Sequence, residues 1–101
     1  MDAIKICKTS DVKEGDVRRF LVGDLDVAVY NIGGCFYVTD DTCTHGPASL
    51  SDGFVEGETV ECPFHYGVFH VPTGKPLKSP CVKPITTYVV KVSDDCVFVI
   101  L

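Results

Sequence analysis

This chain of 101 residues has no long apolar run, no surplus of positive charge and no internal repeat, and each absence removes a class of function. A helix needs about 18 or more successive apolar residues to cross a bilayer. Charged or polar residues interrupt every candidate before that length, so no membrane span is predicted. The opening segment, residues 1–16 (MDAIKICKTSDVKEGD), is charged throughout and lacks the apolar core of an export signal, so a cytoplasmic protein is expected. Nine Lys and Arg stand against fourteen Asp and Glu, a net charge of −5. That balance argues against nucleic acid or an anionic membrane as partner and suits a meeting with a basic protein surface. With no linker-like or low-complexity tract, a chain of this length holds one domain with one modest core.

Helix signals are scarce as well. One short stretch, residues 9–16 (TSDVKEGD), suggests a helical turn, and Gly15 would stop it early. Hydrophobic residues nevertheless make up 46% of the chain, enough for a folded globule and too many for a disordered tail. They concentrate in short β-branched and aromatic runs. Residues 17–22 (VRRFLV) and 25–32 (LDVAVYNI) are the first two. Gly33-Gly34 then turns the chain into residues 35–40 (CFYVTD), a hairpin signal. Residues 54–62 (FVEGETVEC) read as two short strands bent at Glu56-Gly57. Residues 67–71 (GVFHV) form another, closed by Pro72-Thr73-Gly74. At the end, residues 86–92 and 96–101 flank Ser93-Asp94-Asp95 as a second hairpin, with apolar residues on both alternating faces, so much of it is expected to be buried. Many short strands with frequent turns predict an all-β fold, sandwich or barrel.

Six cysteines and three histidines are unevenly spread. Cys7, Cys35, Cys81 and Cys96 stand singly among apolar or strand-like residues and read as small buried hydrophobes. A disulfide framework is disfavoured by the absence of an export signal. The other two cysteines each sit just before a histidine, in C-x-H (Cys43, His45) and C-x-x-H (Cys62, His65), with sixteen residues between. Both stretches are rich in Gly and Pro and lie beside hairpin strands, so two loops could converge at one end of a sheet. Two thiolates and two imidazoles suit either structural zinc or a [2Fe–2S] centre with two cysteines on one iron and two histidines on the other. A zinc finger usually takes both cysteines from one stretch and both histidines from another. Here each stretch supplies one of each.

That interleaved pattern, with CTHG, SDG, ECPFH and TGK around it, resembles the small Rieske-type ferredoxins of bacterial aromatic-ring-hydroxylating oxygenases. The likeness runs over nearly the whole chain. It implies one Rieske [2Fe–2S] cluster held by Cys43, His45, Cys62 and His65. It implies three packed antiparallel sheets, with a cluster-binding subdomain at about 41–81 inserted in a basal β domain made of about 1–40 and 82–101. It implies a one-electron carrier rather than an enzyme, passing electrons from an NAD(P)H-dependent flavoprotein ferredoxin reductase to a terminal non-haem iron oxygenase. The small Rieske-like subunit of an assimilatory nitrite reductase is the alternative.

Departures from the wider pattern carry information. High-potential relatives have a disulfide between the loops and two hydroxyl donors to the cluster sulfurs. The matching positions here are Ala48 and Phe64, and Gly67 and Phe69. Missing donors place the expected potential at the low end of the Rieske range, about −150 mV. His70 is read as a non-ligand. The proline-rich residues 75–84 (KPLKSPCVKP) resemble the family's loop over the cluster, with Pro80 the candidate for contact and Cys81 a nearby spectator. Docking is expected at the histidine end, with Pro47, Phe64 and Pro80 as an apolar centre. Asp40, Asp41, Asp52, Glu56, Glu58 and Glu61 would form an acidic rim, on which Asp40 and Asp52 are the steering residues.

Overall fold

The structure is a computed structural model that describes residues 2–44, 46–64, 66–79 and 82–101. Its strands in chain order are β1 (Ala3–Lys8), β2 (Val17–Val22), β3 (Leu25–Ile32), β4 (Cys35–Asp40), β5 (Phe54–Glu56), β6 (Thr59–Glu61), β7 (Val68–His70), β8 (Pro76–Lys78), β9 (Thr87–Ser93) and β10 (Cys96–Ile100). Two 3-10 turns, Thr9–Asp11 and Leu50–Asp52, are the helical elements among the described residues. The first is shorter than the sequence suggested. Val12 is already extended, and the turn is closed by the Lys8 N–H donating to Asp11 Oδ2 at 2.9 Å.

Six strands hydrogen-bond in the order β1-β10-β9-β4-β3-β2, and β5-β6-β7-β8 form a separate antiparallel sheet. The six-stranded array consists of two three-stranded antiparallel pieces. They meet at a short seam between β4 and β9, where Val38 pairs with Tyr88 and Thr39 with Thr87. Together with β5–β8 this gives the three antiparallel sheets expected. The β3–β4 hairpin closes on Gly33-Gly34, both at positive φ (61° and 87°), the backbone a two-residue turn between twisted strands demands. Asn31 braces that turn. Its Oδ1 accepts from the Gly34 N–H at 3.1 Å, and its Nδ2 donates to Val12 O at 2.9 Å.

β3 explains how two cores fit in so short a chain. Its residues from Val27 to Asn31 are buried on both faces. Because side chains alternate along a strand, Ala28 and Tyr30 enter one core, while Val27 and Val29 enter the other. The second core joins Ile6, Cys7, Val12, Val38, Val97 and Val99 beneath the basal sheets. The first joins β3 to β6 and β7 through Leu50, Val60, Phe69 and Val71, and it contains Cys43 and Cys62.

Several expectations change in three dimensions. The C-terminal hairpin is buried mainly through Val97 and Val99; Val89 and Val92 are exposed, because that stretch of β9 has no layer packed over it. Cys35 is exposed rather than buried, since it opens β4 at the hairpin end beside the Gly-Gly turn. Cys7 is buried and Cys96 partly so, whereas Cys81 lies outside the described residues. Residues 75–84 do not begin as loop: Pro76–Lys78 form edge strand β8 on β7, with an irregular register between Val68 and Phe69. An edge at a bulge is where a strand tolerates proline, which has no N–H to give.

Candidate metal centre

Cys43 and Cys62 open corresponding bends. In the first loop, after β4, the Cys43 N–H donates to Ala48 O at 2.8 Å. In the second, between β6 and β7, the Cys62 N–H donates to Gly67 O at 2.7 Å. In both, the cysteine bonds the carbonyl five residues later, and each histidine falls in the sequence between the bonded ends. Thr42 and Ser49 bridge the first loop further down, and the Leu50 N–H donates to Asp41 O at 2.7 Å. In the second loop Tyr66 takes a positive φ of 60°, which turns the chain back towards β7.

These bends bring the cysteines together. Cys43 is 3% exposed and Cys62 0%, and their thiols are hydrogen-bonding neighbours. Ala28, Tyr30, Ala48, Leu50, Phe69 and Ile85 belong to the same core cluster. Burial pushes the Cys62 thiol up to about 11, the Phe64 amide at its sulfur pulls it back somewhat, and Cys43 raises it further. A thiol so raised stays protonated in the free chain at neutral pH and gives up its proton to a thiophilic metal. Two touching thiols in an apolar box fit the thiolate half of an iron–sulfur site. His45 and His65, the expected imidazole half, lie outside the described residues. Among the described residues no group of three or more His, Cys, Asp or Glu side chains converges as a metal site.

Phe69 is fully buried in the cysteine core, and the Gly67 carbonyl is occupied by the Cys62 N–H. His70 has its ring nitrogens engaged elsewhere: Nδ1 is 2.8 Å from Thr73 Oγ1 and Nε2 is 3.4 Å from Glu58 Oε1. The segment after β8 approaches the first loop, where Thr44 Oγ1 donates to Lys83 O at 3.0 Å. Pro80, the expected contact in that segment, lies outside the described residues.

The acidic rim needs one correction. Asp41 is fully buried instead of lying on the surface, because its amide, carbonyl and carboxylate all fasten the root of the first loop. Asp40 is partly buried under Tyr88, whereas Asp52, Glu56 and Glu58 are exposed and Glu61 is half-buried. Nothing in the residue pattern marks Asp41's role. An acidic residue beside a turn looks like a solvated one until the partner strands are known.

The Rieske [2Fe-2S] domain family matches residues 2–89. Ferredoxin CarAc of Metapseudomonas resinovorans is 48% identical over 97 residues, covering 95% of this chain and 91% of the relative. The ferredoxin component of the naphthalene 1,2-dioxygenase/salicylate 5-hydroxylase systems of a Ralstonia species is 49% identical over 84 residues, 83% of this chain and 81% of the relative. Among solved structures, a chain in the complex of reduced oxygenase and oxidized ferredoxin in carbazole 1,9a-dioxygenase superposes with a TM-score of 0.89. It is 48% identical, covering 96% of this chain and 91% of that one. The protein therefore belongs to the Rieske [2Fe-2S] domain family. Its cofactor is one Rieske-type [2Fe–2S] cluster.

Proposed function

We propose that this protein carries single electrons from an NAD(P)H-dependent flavoprotein ferredoxin reductase to the terminal oxygenase of an aromatic-compound dioxygenase system, and does no bond chemistry of its own. Cys43 and Cys62 hold one iron of the cluster and His45 and His65 the other. The cluster supplies one-electron redox chemistry when bound. The chain's part is to hold it, to exclude water from its cysteine half and to present its histidine half to partners. The observation that carries this reading is the buried, touching pair Cys43 and Cys62, held by equivalent bends of two loops.

The cluster-binding subdomain is about 41–81, on a base of about 1–40 and 82–101. Docking takes place at the histidine end, around Pro47, Phe64 and Pro80, with Asp40 and Asp52 on the rim. Pro47 is exposed and Phe64 is 51% exposed, which suits a contact that must form and dissolve with two partners in turn. No helix among the described residues is long and apolar enough to cross a membrane, and a cytoplasmic location suits the nicotinamide-linked donor. The nitrite reductase subunit is the weaker reading, because the relatives above serve oxygenase systems.

The purified protein should contain two irons and two labile sulfides per chain, give a Rieske-type EPR signal when reduced, and be oxidised by its oxygenase in stopped flow. Cys43→Ser and Cys62→Ser should each abolish the signal. A colourless protein with one zinc, or an unchanged signal in either variant, would overturn the assignment.

A further inference from the structure

Asp41 is fully buried two residues before Cys43, and its Oδ2 accepts no hydrogen bond among the described residues. The rest of the residue is committed. Its N–H donates to Asp26 O at 3.1 Å, its carbonyl accepts from Leu50, and its Oδ1 accepts from the Ser51 N–H at 3.0 Å. Arg19 on β2 brings Nε to 3.3 Å from the orphaned oxygen. That guanidinium, however, donates through Nε and Nη2 to the two oxygens of Asp26, each at 2.7 Å. Asp52 also acts on it electrostatically, more weakly than Asp26 or Asp41. Three carboxylates thus share one guanidinium, and the most buried of them receives a glancing contact.

The two ends of this pair face different surroundings. Arg19 is 47% exposed, so water screens it, while Asp41 has no exposed surface. A charge in a water-poor interior acts more strongly on its neighbours than one in solvent. Reduction adds negative charge to the metal centre beside Cys43. A fixed, poorly neutralised carboxylate two residues before that cysteine raises the energy of the reduced state.

We propose that Asp41 is a tuning residue: its buried carboxylate, incompletely neutralised by Arg19, holds the reduction potential down, and Arg19 sets by how much. This rests on Cys43 as a cluster ligand. It is a separate cause from the missing hydroxyl donors at Gly67 and Phe69, because it acts through charge and not through hydrogen bonds to sulfur.

The test measures reduction potential by protein-film voltammetry on holoprotein variants that keep the Rieske EPR signal, with thermal unfolding alongside. Asp41→Asn keeps an Oδ1 acceptor for Ser51 and removes the charge, so the potential should shift positive. Arg19→Gln strips the compensating cation, so it should shift negative. Arg19→Lys keeps the charge and loses the fork on Asp26; its potential should stay close to wild type while its Tm falls. A purely structural role would lower Tm in all three without opposite shifts in potential. Shifts of one sign for Asp41→Asn and Arg19→Gln, or none, overturn the proposal. Should Asp41→Asn fail to retain its cluster, Arg19→Gln against Arg19→Lys decides, since that side chain reaches solvent. A wild-type signal in Cys43→Ser would instead sink the ligand assignment, so the two failures are distinguishable.

Discussion

Tyr88 donates its hydroxyl to Asp40 Oδ1 at 2.5 Å across the seam where β4 meets β9. The bond fastens the two halves of the basal array just where the chain leaves for the first cysteine loop. It also ties down one of the two carboxylates proposed to steer partners. Asp52, at the other end of that loop, is exposed and more available.

Asp52→Lys should therefore slow oxidation by the oxygenase several-fold at low salt and flatten the fall of that rate with rising salt, since screening shortens the reach of rim charges. Asp40→Lys should slow it too, and should also lower Tm by breaking the bond from Tyr88. Phe64→Ala should slow transfer at every salt concentration, because its contact is apolar. Stopped-flow oxidation across a salt series reads all three. Wild-type rates in Asp52→Lys and Phe64→Ala would move the docking face elsewhere.

The potential itself is expected to be negative near pH 7, at the low end of the Rieske range of about −150 to +300 mV. Phe69 lies fully buried in the core that contains both cysteines, so Phe69→Tyr places a hydroxyl in that core. A hydroxyl bonded to a cysteine sulfur should raise the potential. An unchanged value with an intact spectrum would mean that the hydroxyl does not reach the sulfur.

Gly74 couples the inserted sheet to the base. Its N–H donates to His70 O at 2.7 Å, and its carbonyl accepts from the Ile85 N–H at 2.9 Å. A Cβ there would overlap Ile85 O, at a φ of +75°. Gly74→Ala should cost roughly 1–3 kcal/mol for the backbone conformation alone, with more for the overlap. Denaturant unfolding should show the loss as a lower midpoint. A wild-type midpoint would mean that the turn relaxes freely.

Alkaline pH should weaken the fold. Burial, then Asp11, pushes the Cys7 thiol from 9.0 to about 11, against a lowering effect of Arg18. Burial, then the hydrogen bond to Asp40, pushes Tyr88 from 10.0 to about 12. In both, the folded state favours the protonated, neutral form. The stabilisation is thus complete below the ordinary value and is lost as pH rises through the shifted one. Unfolding free energy should fall between pH 9 and 11 through Cys7, and onward to 12 through Tyr88. Cys7→Ala should be less stable overall and show a shallower fall over the first interval. Parallel slopes would remove Cys7 as the cause.

The sequence by itself determined the local elements and the chemistry of the ligand set. β2, β3 and β4 fall on residues 17–22, 25–32 and 35–40 as expected, because alternation and a Gly-Gly turn are short-range signals. The interleaved order of Cys43, His45, Cys62 and His65 carries the resemblance from which a Rieske-type cluster is expected, because a short motif is legible along the chain without its partners in space. The tertiary structure decided what depends on partners distant in sequence. It put β1 on β10 and Pro76–Lys78 on β7, left Val89 bare, and buried Asp41 beneath Arg19 and the first loop. Pairing and burial are set by what packs opposite a residue, and residue types along the chain do not record their neighbours across it. An exposed aspartate and a buried one read alike in one dimension; the difference is made by Ser51, Asp26 and Arg19 arriving from three other segments.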